Sequence, residues 1–299
     1  MSTTERTSEP PRLRVGQRVR ELWTFREVLF NLVRKELKVK YTGSVLGAIW
    51  SLLNPVVFLA VFTFVAKVLG AAAKEYPVFL LAGLLPWNLF SASLSQGAVS
   101  VIMNANLVKK VYFPREVLPL ASIGASIVDF VLQSLVFFLF LFVTGLFATG
   151  YGFELGTIWI YPIAFVALLL FTVAVTFWIS SMNVRYRDLT HLIGLALLVW
   201  FWLTPIVYAI GRVHTTIEEQ FPTHASLLWR VYLLNPMTWI VSGFQTAVYH
   251  ASDAATILIP ISNGRLAAGL GLVAVGSLVL LYGTWRVFFG LSGDFAEEL

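Results

Sequence analysis

Few side chains in this sequence could attack a bond, hold a metal or carry a proton. Asp129 is the only acidic residue deep inside a long apolar run, and four histidines occur without the spacing of a metal site, at His191, His214, His224 and His250. Cysteine is absent, and so is the G-x-x-x-x-G-K-[ST] loop that cradles ATP phosphates. We therefore expect no catalytic residue, metal site or cofactor on this chain. The simplest role for Asp129 is that of a satisfied polar group at a helix interface or beside an aqueous path.

The aromatic side chains offer a different chemistry, because flat rings stack against the apolar C–H faces of sugars. The chain has 10 Trp, 10 Tyr and 24 Phe, and four residues from Trp50 to Phe62 follow each other at four-residue steps along one helix face. A glycan could slide along such a wall, although lipid-facing belts and core packing are the alternative interpretation. The candidate glycan path comprises Trp50, Asn54, Phe58, Phe62, Trp87, Trp200, Trp202 and Tyr208.

The elements that position these side chains are predicted to be membrane helices. Of the 299 residues, 58% are hydrophobic and 12% are charged, whereas soluble domains average about 25% charged residues. Apolar stretches of about 20 residues or more identify an all-α polytopic membrane protein. Six transmembrane helices are predicted, at 45–69, 78–102, 117–147, 158–182, 190–210 and 266–290.

The charge pattern predicts how these helices are oriented. The net charge is +5, and ten of the 21 Lys and Arg residues precede Gly43, which is typical of a cytoplasmic flank that meets anionic lipid rather than nucleic acid. The positive-inside rule therefore predicts that both termini are cytoplasmic. The basic residues left on the predicted outer side are Lys67, Lys74, Arg212, Arg230 and Arg265.

An amphipathic helix is predicted before the first span, at 21–42. It should lie on the inner leaflet, either as an anchor or as a gate beside a route for lipid. Its apolar residues recur at three- and four-residue steps, at Leu22, Phe25, Leu29, Val33 and Leu37. We expect a flexible cytoplasmic tail before it, at 1–20, and a second cytoplasmic tail at 291–299.

On the outer side, the apolar segment 233–250 reads LLNPMTWIVSGFQTAVYH. It is interrupted by Asn235-Pro236, Ser242-Gly243 and Gln245, so it is too short and too polar to span the membrane. These features favour an outer re-entrant helical hairpin over a seventh span.

Glycines recur every seven residues in the last predicted span and form one stripe along the helix. Small residues let another helix approach closely, and we expect that helix to belong to the same subunit. The stripe comprises Gly269, Gly276, Gly283 and Gly290.

The segment 104–120, NANLVKKVYFPREVLPL, is a charged and aromatic interruption on the predicted cytoplasmic side. Asn104 or Asn106 can cap a short helix there, and Pro114 can stop it. An inward-pointing helix with exposed charges and rings suits docking into a soluble partner, which would supply the energy that this chain lacks. Its apolar face is predicted to comprise Leu107, Val108, Val111 and Tyr112.

Together these features resemble one family, the permease subunits of type-2 ABC exporters. The resemblance rests on the order and spacing of RKELKVKYTGSVLGAIWSLLNP (34–55), YFPREVLPL (112–120), NVRYRDL (183–189) and LLNP (233–236). The most similar branch exports polysaccharides, lipopolysaccharide O-antigens and teichoic acids. The resemblance covers about residues 20–290, and the extended N-terminal tail departs from it.

The resemblance implies partners and sites. A transmembrane domain of the ABC-2 type, at 43–290, would form a homodimer in the bacterial inner membrane with two copies of an ATPase subunit, which would bind ATP and magnesium. The helix at about 104–113 would couple to the ATPase through Asn106, Leu107, Lys109, Lys110, Tyr112, Phe113 and Arg115. A lipid-linked glycan (an O-antigen, a teichoic acid or a cell-wall galactan) would enter near the first and fifth spans. Its pyrophosphate would meet the basic end of the amphipathic helix, at Arg34, Lys35, Lys38 and Lys40.

Three alternatives remain open from the sequence. An exporter of drugs or small lipids with the same fold would not need the aromatic face. A polyprenyl-phosphate glycosyltransferase would need clustered acidic residues at the inner surface, and Asp188 stands nearly alone there. An ion-coupled flippase is expected to carry an internal repeat, which is not evident in the six predicted spans.

Overall fold

The computed structural model describes residues 14–42, 49–68, 76–147, 156–186, 188–248 and 261–299. Every regular element within these residues is helical, which confirms the predicted all-α class for this part of the chain. The helices are α1 (Val15–Thr24), α2 (Arg26–Tyr41), α3 (Ile49–Val68), α4 (Tyr76–Met103), α5 (Ala105–Lys110), α6 (Val117–Phe147), α7 (Ile160–Arg185), α8 (Leu189–Trp202), α9 (Ile210–Gln220), α10 (Ala225–Leu233), α11 (Pro236–Val248), α12 (Asn263–Ser292) and α13 (Phe295–Glu298), with a 3-10 turn at Pro222–His224.

Among the described residues, four helices are long and apolar enough to cross a membrane: α4, α6, α7 and α12. They lie at the second, third, fourth and sixth predicted spans, and α3, with 20 residues, lies at the first. The predicted fifth span at 190–210 is not one continuous helix, because α8 has 14 residues and ends at Trp202. Pro205 explains this end, since proline lacks an N–H donor and disfavours helical backbone in the residue before it.

α4 lies at the centre of the bundle, where it packs against α6, α7 and α11. Its side chains are buried along most of its length, including Phe90 and Leu94. Gly97 permits the close crossing with α7, because a Cβ at this position would lie 2.2 Å from Cγ2 of Thr176. α7 packs in turn against α12.

α11 is a short helix that lies within the bundle. Its 13 residues extend about 20 Å, which is less than the hydrocarbon thickness of a membrane. Ile240, Val241 and Phe244 are fully buried where α11 packs against α4, α7 and α12. α11 covers most of the segment 233–250 as one continuous helix, so the chain does not reverse within 236–248, and residues 249 and 250 lie outside the described residues.

The N-terminal helical region begins earlier than predicted. α1 starts at Val15 and α2 at Arg26, with a break at Phe25, so the boundary placed at residue 21 is too late. Residues 15–20, assigned above to a flexible tail, are helical because Arg18 is held by Glu116 at the start of α6. Residues 1–13 of that tail lie outside the described part of the chain.

α2 packs along the first half of α6. Gly124 of α6 gives room for Val33, whose side chain would lie 2.7 Å from a Cβ added there. Leu32 is buried nearby, whereas Phe30 and Val39 stay exposed. Part of the predicted amphipathic face is therefore covered by the protein itself.

The C-terminal residues also pack on the protein. Phe295 is fully buried, with its ring centroid 5.5 Å from that of Phe288. Arg185 at the end of α7 donates to Glu298 at 3.1 Å. The segment predicted as a cytoplasmic tail thus rests against α5 and α7.

The glycine stripe of α12 is divided between two environments. Gly269 lies against the ring of Trp239, and a Cβ there would come within 2.2 Å of it. Gly276, Gly283 and Gly290 have no atom of the described residues within 4 Å of the position of a Cβ. The expectation of packing inside the subunit therefore holds for Gly269 and is wrong for the other three, because no described helix of this subunit covers them.

Candidate functional site

The coupling segment (residues 104–116) contains α5, which starts after Asn104 and ends at Lys110. The side chain of Asn104 does not cap α5. Its Oδ1 accepts a hydrogen bond from Lys35 Nζ at 2.6 Å, and its Nδ2 donates to the carbonyl of Ser100 at 2.8 Å. The helix ends four residues before Pro114, so the proline does not terminate it directly.

The predicted ATPase contacts on this segment differ in exposure. Tyr112 is 82% exposed, whereas Phe113 is 6% exposed and packs in a buried cluster with Val108 and Val117. Phe113 thus supports the segment from inside and is not free to meet a partner. The predicted apolar face is also wrong in part, because Val111 and Tyr112 follow the end of the helix and are exposed. The accessible members of the set are Asn106, Lys109, Lys110 and Tyr112, and Leu107 and Arg115 are half-buried.

Glu116 closes the coupling segment with a fully buried carboxylate. Arg18 donates to both of its oxygens, from Nε at 2.8 Å and Nη2 at 2.7 Å, and Trp285 Nε1 donates to Oε1 at 3.1 Å. Burial by itself lowers the pKa of Arg18, but the hydrogen bonds and charges of Glu116 and Glu21 outweigh it and raise that pKa overall. This ionised network joins α1, the coupling segment and α12.

The four basic residues predicted to meet a pyrophosphate differ in what they already contact. Lys40 Nζ lies 2.5 Å from Oδ2 of Asp129, and Lys35 is bound to Asn104. The side chains of Arg34 and Lys38 are exposed and have no hydrogen-bond or ion-pair partner within the described residues. These two cations are therefore the ones available to an anion.

Two predicted path residues on α3, Phe58 and Phe62, stack with ring centroids 5.8 Å apart. Phe62 faces Phe201 at 6.4 Å and Trp202 at 6.3 Å on α8, and Trp87 on α4 lies 5.6 Å from Phe201. These rings line a cleft of about 410 Å³ between α3, α4 and α8, which we call the aromatic cleft. The sequence analysis did not single out Phe201, although it lies between two predicted tryptophans.

The other predicted path residues are not seen in this cleft. Trp200 points into the bundle, with its ring centroid 5.2 Å from that of Phe90 and its Nε1 donating to Asn235 at 2.9 Å. Tyr208 donates to the carbonyl of Trp202 at 2.6 Å. Trp200 and Tyr208 therefore support the end of α8, where their hydrogen bonds hold the chain as it leaves the helix. The members whose side chains lie outside the described part are Trp50 and Asn54.

A polar cleft of about 370 Å³ adjoins the aromatic one, between the end of α2, α4 and α6. Asp129 lies in it, and its carboxylate accepts hydrogen bonds from Lys40 and from the hydroxyl of Tyr41, both at 2.5 Å. This confirms the expectation that Asp129 is a satisfied polar group. Asn88 and Ser91 line both clefts and so connect them. The remaining polar lining residues are Ser95, Ser126 and Gln133.

The LLNP turn (233–236) connects α10 to α11, and its Asn235 also contacts the end of α8. Asn235 Oδ1 accepts from Trp200 Nε1 and, at 3.0 Å, from the backbone N–H of Met237, while its amide donates to the hydroxyl of Thr204 at 3.2 Å. Gln245 of α11 donates to the carbonyl of Pro205 at 2.9 Å, which lies beyond the end of α8. The sequence analysis treated Asn235 and Gln245 as interruptions of an apolar run, whereas here they satisfy backbone and side-chain groups.

Known proteins resemble this chain across the whole of this region. The family of ABC-2 type transporters matches residues 27–249, which include α2 from its second residue onward, the coupling segment, both clefts and the LLNP turn. The chain is 31% identical over 285 residues to a Myxococcus xanthus protein named O-antigen export system permease protein RfbA, covering 94% of this chain and 98% of that protein. Two Klebsiella pneumoniae proteins of the same name are 35% and 34% identical over 214 residues, covering 70% of this chain and 81% of each.

Proposed function

This chain belongs to the membrane family of ABC-2 type transporters, and we propose that it is the membrane subunit of an ATP-driven exporter of a lipid-linked polysaccharide of the O-antigen class. Its relatives over 94% and 70% of its length are named as O-antigen export permeases. Its four long apolar helices make it a multi-pass membrane protein. The structural observation that carries the assignment to a glycan is the aromatic cleft.

The aromatic cleft suits a polymer that must move through without being held. Phe58, Phe62 and Trp202 offer ring faces and edges to the C–H surfaces of sugars, and Asn88 and Ser91 offer hydrogen bonds at one side. Contacts between aromatic rings contribute about 0.5–1.5 kcal/mol each, and we assign a similar strength to each sugar contact. Contacts of this size can form and break as successive sugars pass.

We assign the pyrophosphate of the carrier lipid to Arg34 and Lys38 on α2. Both side chains are exposed, and charge-assisted hydrogen bonds from such groups to phosphate oxygens are strong. Lys40 is excluded from this role because it is paired with Asp129. Lys35 is less available because it already donates to Asn104.

The ATPase would be a separate subunit that binds ATP and magnesium and docks on the coupling segment. Tyr112, Asn106, Lys109 and Lys110 form the accessible surface there. Because Glu116 bonds to Arg18 and Trp285, a push on this segment would reach α1 and α12 together.

The working assembly that we propose contains two copies of this chain and two ATPase subunits in the bacterial inner membrane. α3, and α8 together with the non-helical residues that follow it, would complete six spans, with both termini in the cytoplasm and α11 in an outer re-entrant hairpin. Phe64 on α3 and Leu195 on α8 are 68% and 63% exposed, and a second copy facing the aromatic cleft would cover such side chains.

The test replaces Phe58→Leu and Phe62→Leu together, in cells that lack their own export permease. Leucine keeps apolar volume, so the variant should insert, bind the ATPase and retain basal ATP hydrolysis. Polysaccharide at the cell surface should fall at least about tenfold, which corresponds to about 1.4 kcal/mol shared between the two rings that are removed. The matched control is Phe142→Leu, an exposed ring on α6 that lines neither cleft.

A normal amount of surface polysaccharide in the double variant would show that the aromatic cleft is not part of the transport path. A second candidate function is the export of drugs or small lipids. That function would be supported if the wild-type chain with its ATPase transported a small fluorescent lipid but no glycan.

A further inference from the structure

The polar cleft is a feature that the proposed function does not yet use. Its side chains recur at steps of three and four residues on each of two helices, so each helix turns one polar face toward the other. Polar groups inside membrane helices are costly unless they face water, each other or a polar ligand. The facing residues are Asn88, Ser91 and Ser95 on α4 and Ser126, Asp129 and Gln133 on α6.

The cleft contains an unmatched hydrogen-bond donor. The side-chain nitrogen of Asn88 is buried and has no hydrogen-bond partner among the residues that the structure describes. The hydroxyl of Ser91, one turn further along α4, donates to the backbone carbonyl of Asn88 at 3.4 Å. A buried amide without a partner is unfavourable, so a ligand that accepts from Asn88 would be stabilised there.

The charges in the cleft disfavour an anionic ligand. Lys40 and Asp129 form an ion pair whose net charge is zero, and the hydroxyl of Tyr41 bonds to the second oxygen of Asp129. A phosphate that approached Lys40 would be repelled by the adjacent carboxylate. The other polar lining residues are neutral hydroxyl and amide groups, and Phe130 adds an apolar wall. This combination fits an uncharged ring that carries several hydroxyl or acetamido groups.

The position of the cleft indicates which part of the substrate it would meet. Lys40 brings the end of α2 to one side of the cleft, and the same helix carries Arg34 and Lys38, exposed cations without a partner among the described residues. Asn88 and Ser91 open into the aromatic cleft on the other. The volume of about 370 Å³ lies within the range of about 300–1,000 Å³ typical of small-ligand sites.

We propose that the polar cleft binds the sugar joined directly to the pyrophosphate of the carrier lipid, an inference that rests on the proposed function. The pyrophosphate lies at Arg34 and Lys38, the first sugar fills the polar cleft, and later sugars follow the aromatic cleft. The permease thereby distinguishes a carrier that bears a glycan from a bare carrier.

The experiment compares two probes on the full chain assembled with its ATPase in lipid nanodiscs. One is a polyprenyl pyrophosphate that carries a single N-acetylhexosamine, and the other is the same lipid without the sugar. The wild-type assembly should bind the sugar-bearing lipid about tenfold more tightly, and Asn88→Ala combined with Ser91→Ala should reduce that ratio to near one. Ser93→Ala is the matched control, because Ser93 is a buried serine of α4 that does not line the cleft.

Two further variants keep the test decisive if the double alanine variant fails to fold. Ser95→Phe places a ring in the cleft from an exposed position, and it should also abolish the preference. Arg34→Ala combined with Lys38→Ala should weaken the binding of both lipids and preserve the ratio of their affinities. The inference is overturned if the wild-type assembly binds the two lipids equally, or if the preference survives both cleft variants. Binding of neither lipid by the wild-type assembly would overturn the proposed function as well.

Discussion

At the scale of single residues, the carboxylate of Glu116 ties together segments that are far apart in the sequence. It is fully buried and receives hydrogen bonds from Arg18 on α1 and Trp285 on α12. A buried ion pair of this kind adds little net stability compared with a well-packed apolar pair, but loss of one partner leaves a buried charge. Its main effect is to fix which segments lie side by side.

We predict that Arg18→Ala destabilises the protein strongly although Arg18 lies near the N-terminus. Glu116 would keep only the Trp285 hydrogen bond, and stranding a buried charge costs about 3–5 kcal/mol. The midpoint of thermal unfolding in detergent should fall clearly for Arg18→Ala. Substitution of the exposed Arg20 by alanine should change that midpoint little. Arg18→Met combined with Glu116→Leu should recover much of the loss. An unchanged midpoint for Arg18→Ala would mean that the pair does not hold α1.

The role of a residue could be predicted only where it depends on the spacing of residues that are close in the sequence. The four-residue steps of Phe58 and Phe62 indicated a ring face, and the structure has them stacked. The partners of Asp129 and Glu116 lie 88 to 169 residues away in the sequence, so no local pattern indicates them. The burial of Phe113 was missed for the same reason, because the cluster that covers it comes from distant helices.

At the scale of elements, the end of α8 and the start of α11 form one joint. Asn235 links both helices, and Gln245 binds the carbonyl of Pro205 where α8 has stopped. Unpaired backbone groups inside a membrane are costly, so an unwound stretch there needs such side-chain partners.

We predict that Asn235→Ala separates these two elements. The indole N–H of Trp200 and the N–H of Met237 would lose their acceptor, at a cost of about 2–4 kcal/mol. Asn235→Asp keeps the acceptor and loses the donor, so its stability should lie between those of the wild type and Asn235→Ala. The measurement is the thermal unfolding midpoint, with the exposed Asn31→Ala as control. Equal thermal unfolding midpoints for Asn235→Ala and the control would show that Asn235 does not hold α8 and α11 together.

A second prediction concerns the crossing of α4 and α7. Gly97→Ala should be destabilising by about 1–3 kcal/mol, because the new Cβ would overlap Cγ2 of Thr176. Thr176→Ser removes that methyl group, so the double variant should regain most of the loss. Gly276→Ala on α12 is the control, because its Cβ would meet no atom within the part of the chain that the structure describes. If Gly97→Ala unfolds at the same temperature as the wild type, the two helices have room for the extra methyl group.

The elements themselves were largely predictable, and their ends were not. Hydropathy is a local property, so the long apolar helices α4, α6, α7 and α12 lie at predicted spans. The end of α8 depends on Pro205, which the apolar run concealed. The start of α1 at Val15 depends on a contact with Glu116, far along the chain.

At the scale of the whole molecule, the described chain leaves large apolar faces uncovered. Leu272 and Val279 on α12 are 75% and 70% exposed, and Phe64 on α3 is 68% exposed. Lipid or a second copy would cover such faces in a multi-pass membrane protein. The exposed polar and aromatic residues of the coupling segment have a different character, which suits a soluble partner.

We predict that Tyr112→Ala separates ATP hydrolysis from export. Because Tyr112 is 82% exposed and makes one long hydrogen bond, to Glu21 at 3.4 Å, its loss should not affect folding. The assembly should still hydrolyse ATP, but surface polysaccharide should fall at least about tenfold, as expected if about 1.4 kcal/mol of coupling is lost. Tyr282→Ala, a half-exposed tyrosine on α12, is the control. If Tyr112→Ala exports polysaccharide at the wild-type rate, Tyr112 is not part of the coupling contact.

The Glu116 network also sets an order of events during synthesis of the chain. Arg18 and Glu116 both leave the ribosome before Trp285, which follows Glu116 by 169 residues. At about 5–20 residues per second, roughly ten to thirty seconds pass between the synthesis of Glu116 and that of Trp285. During that interval the Glu116 carboxylate lacks its indole donor, and α1 is held by Arg18 alone. α12 therefore completes the attachment of α1, and a chain that stops before Trp285 leaves the buried carboxylate of Glu116 without one of its donors.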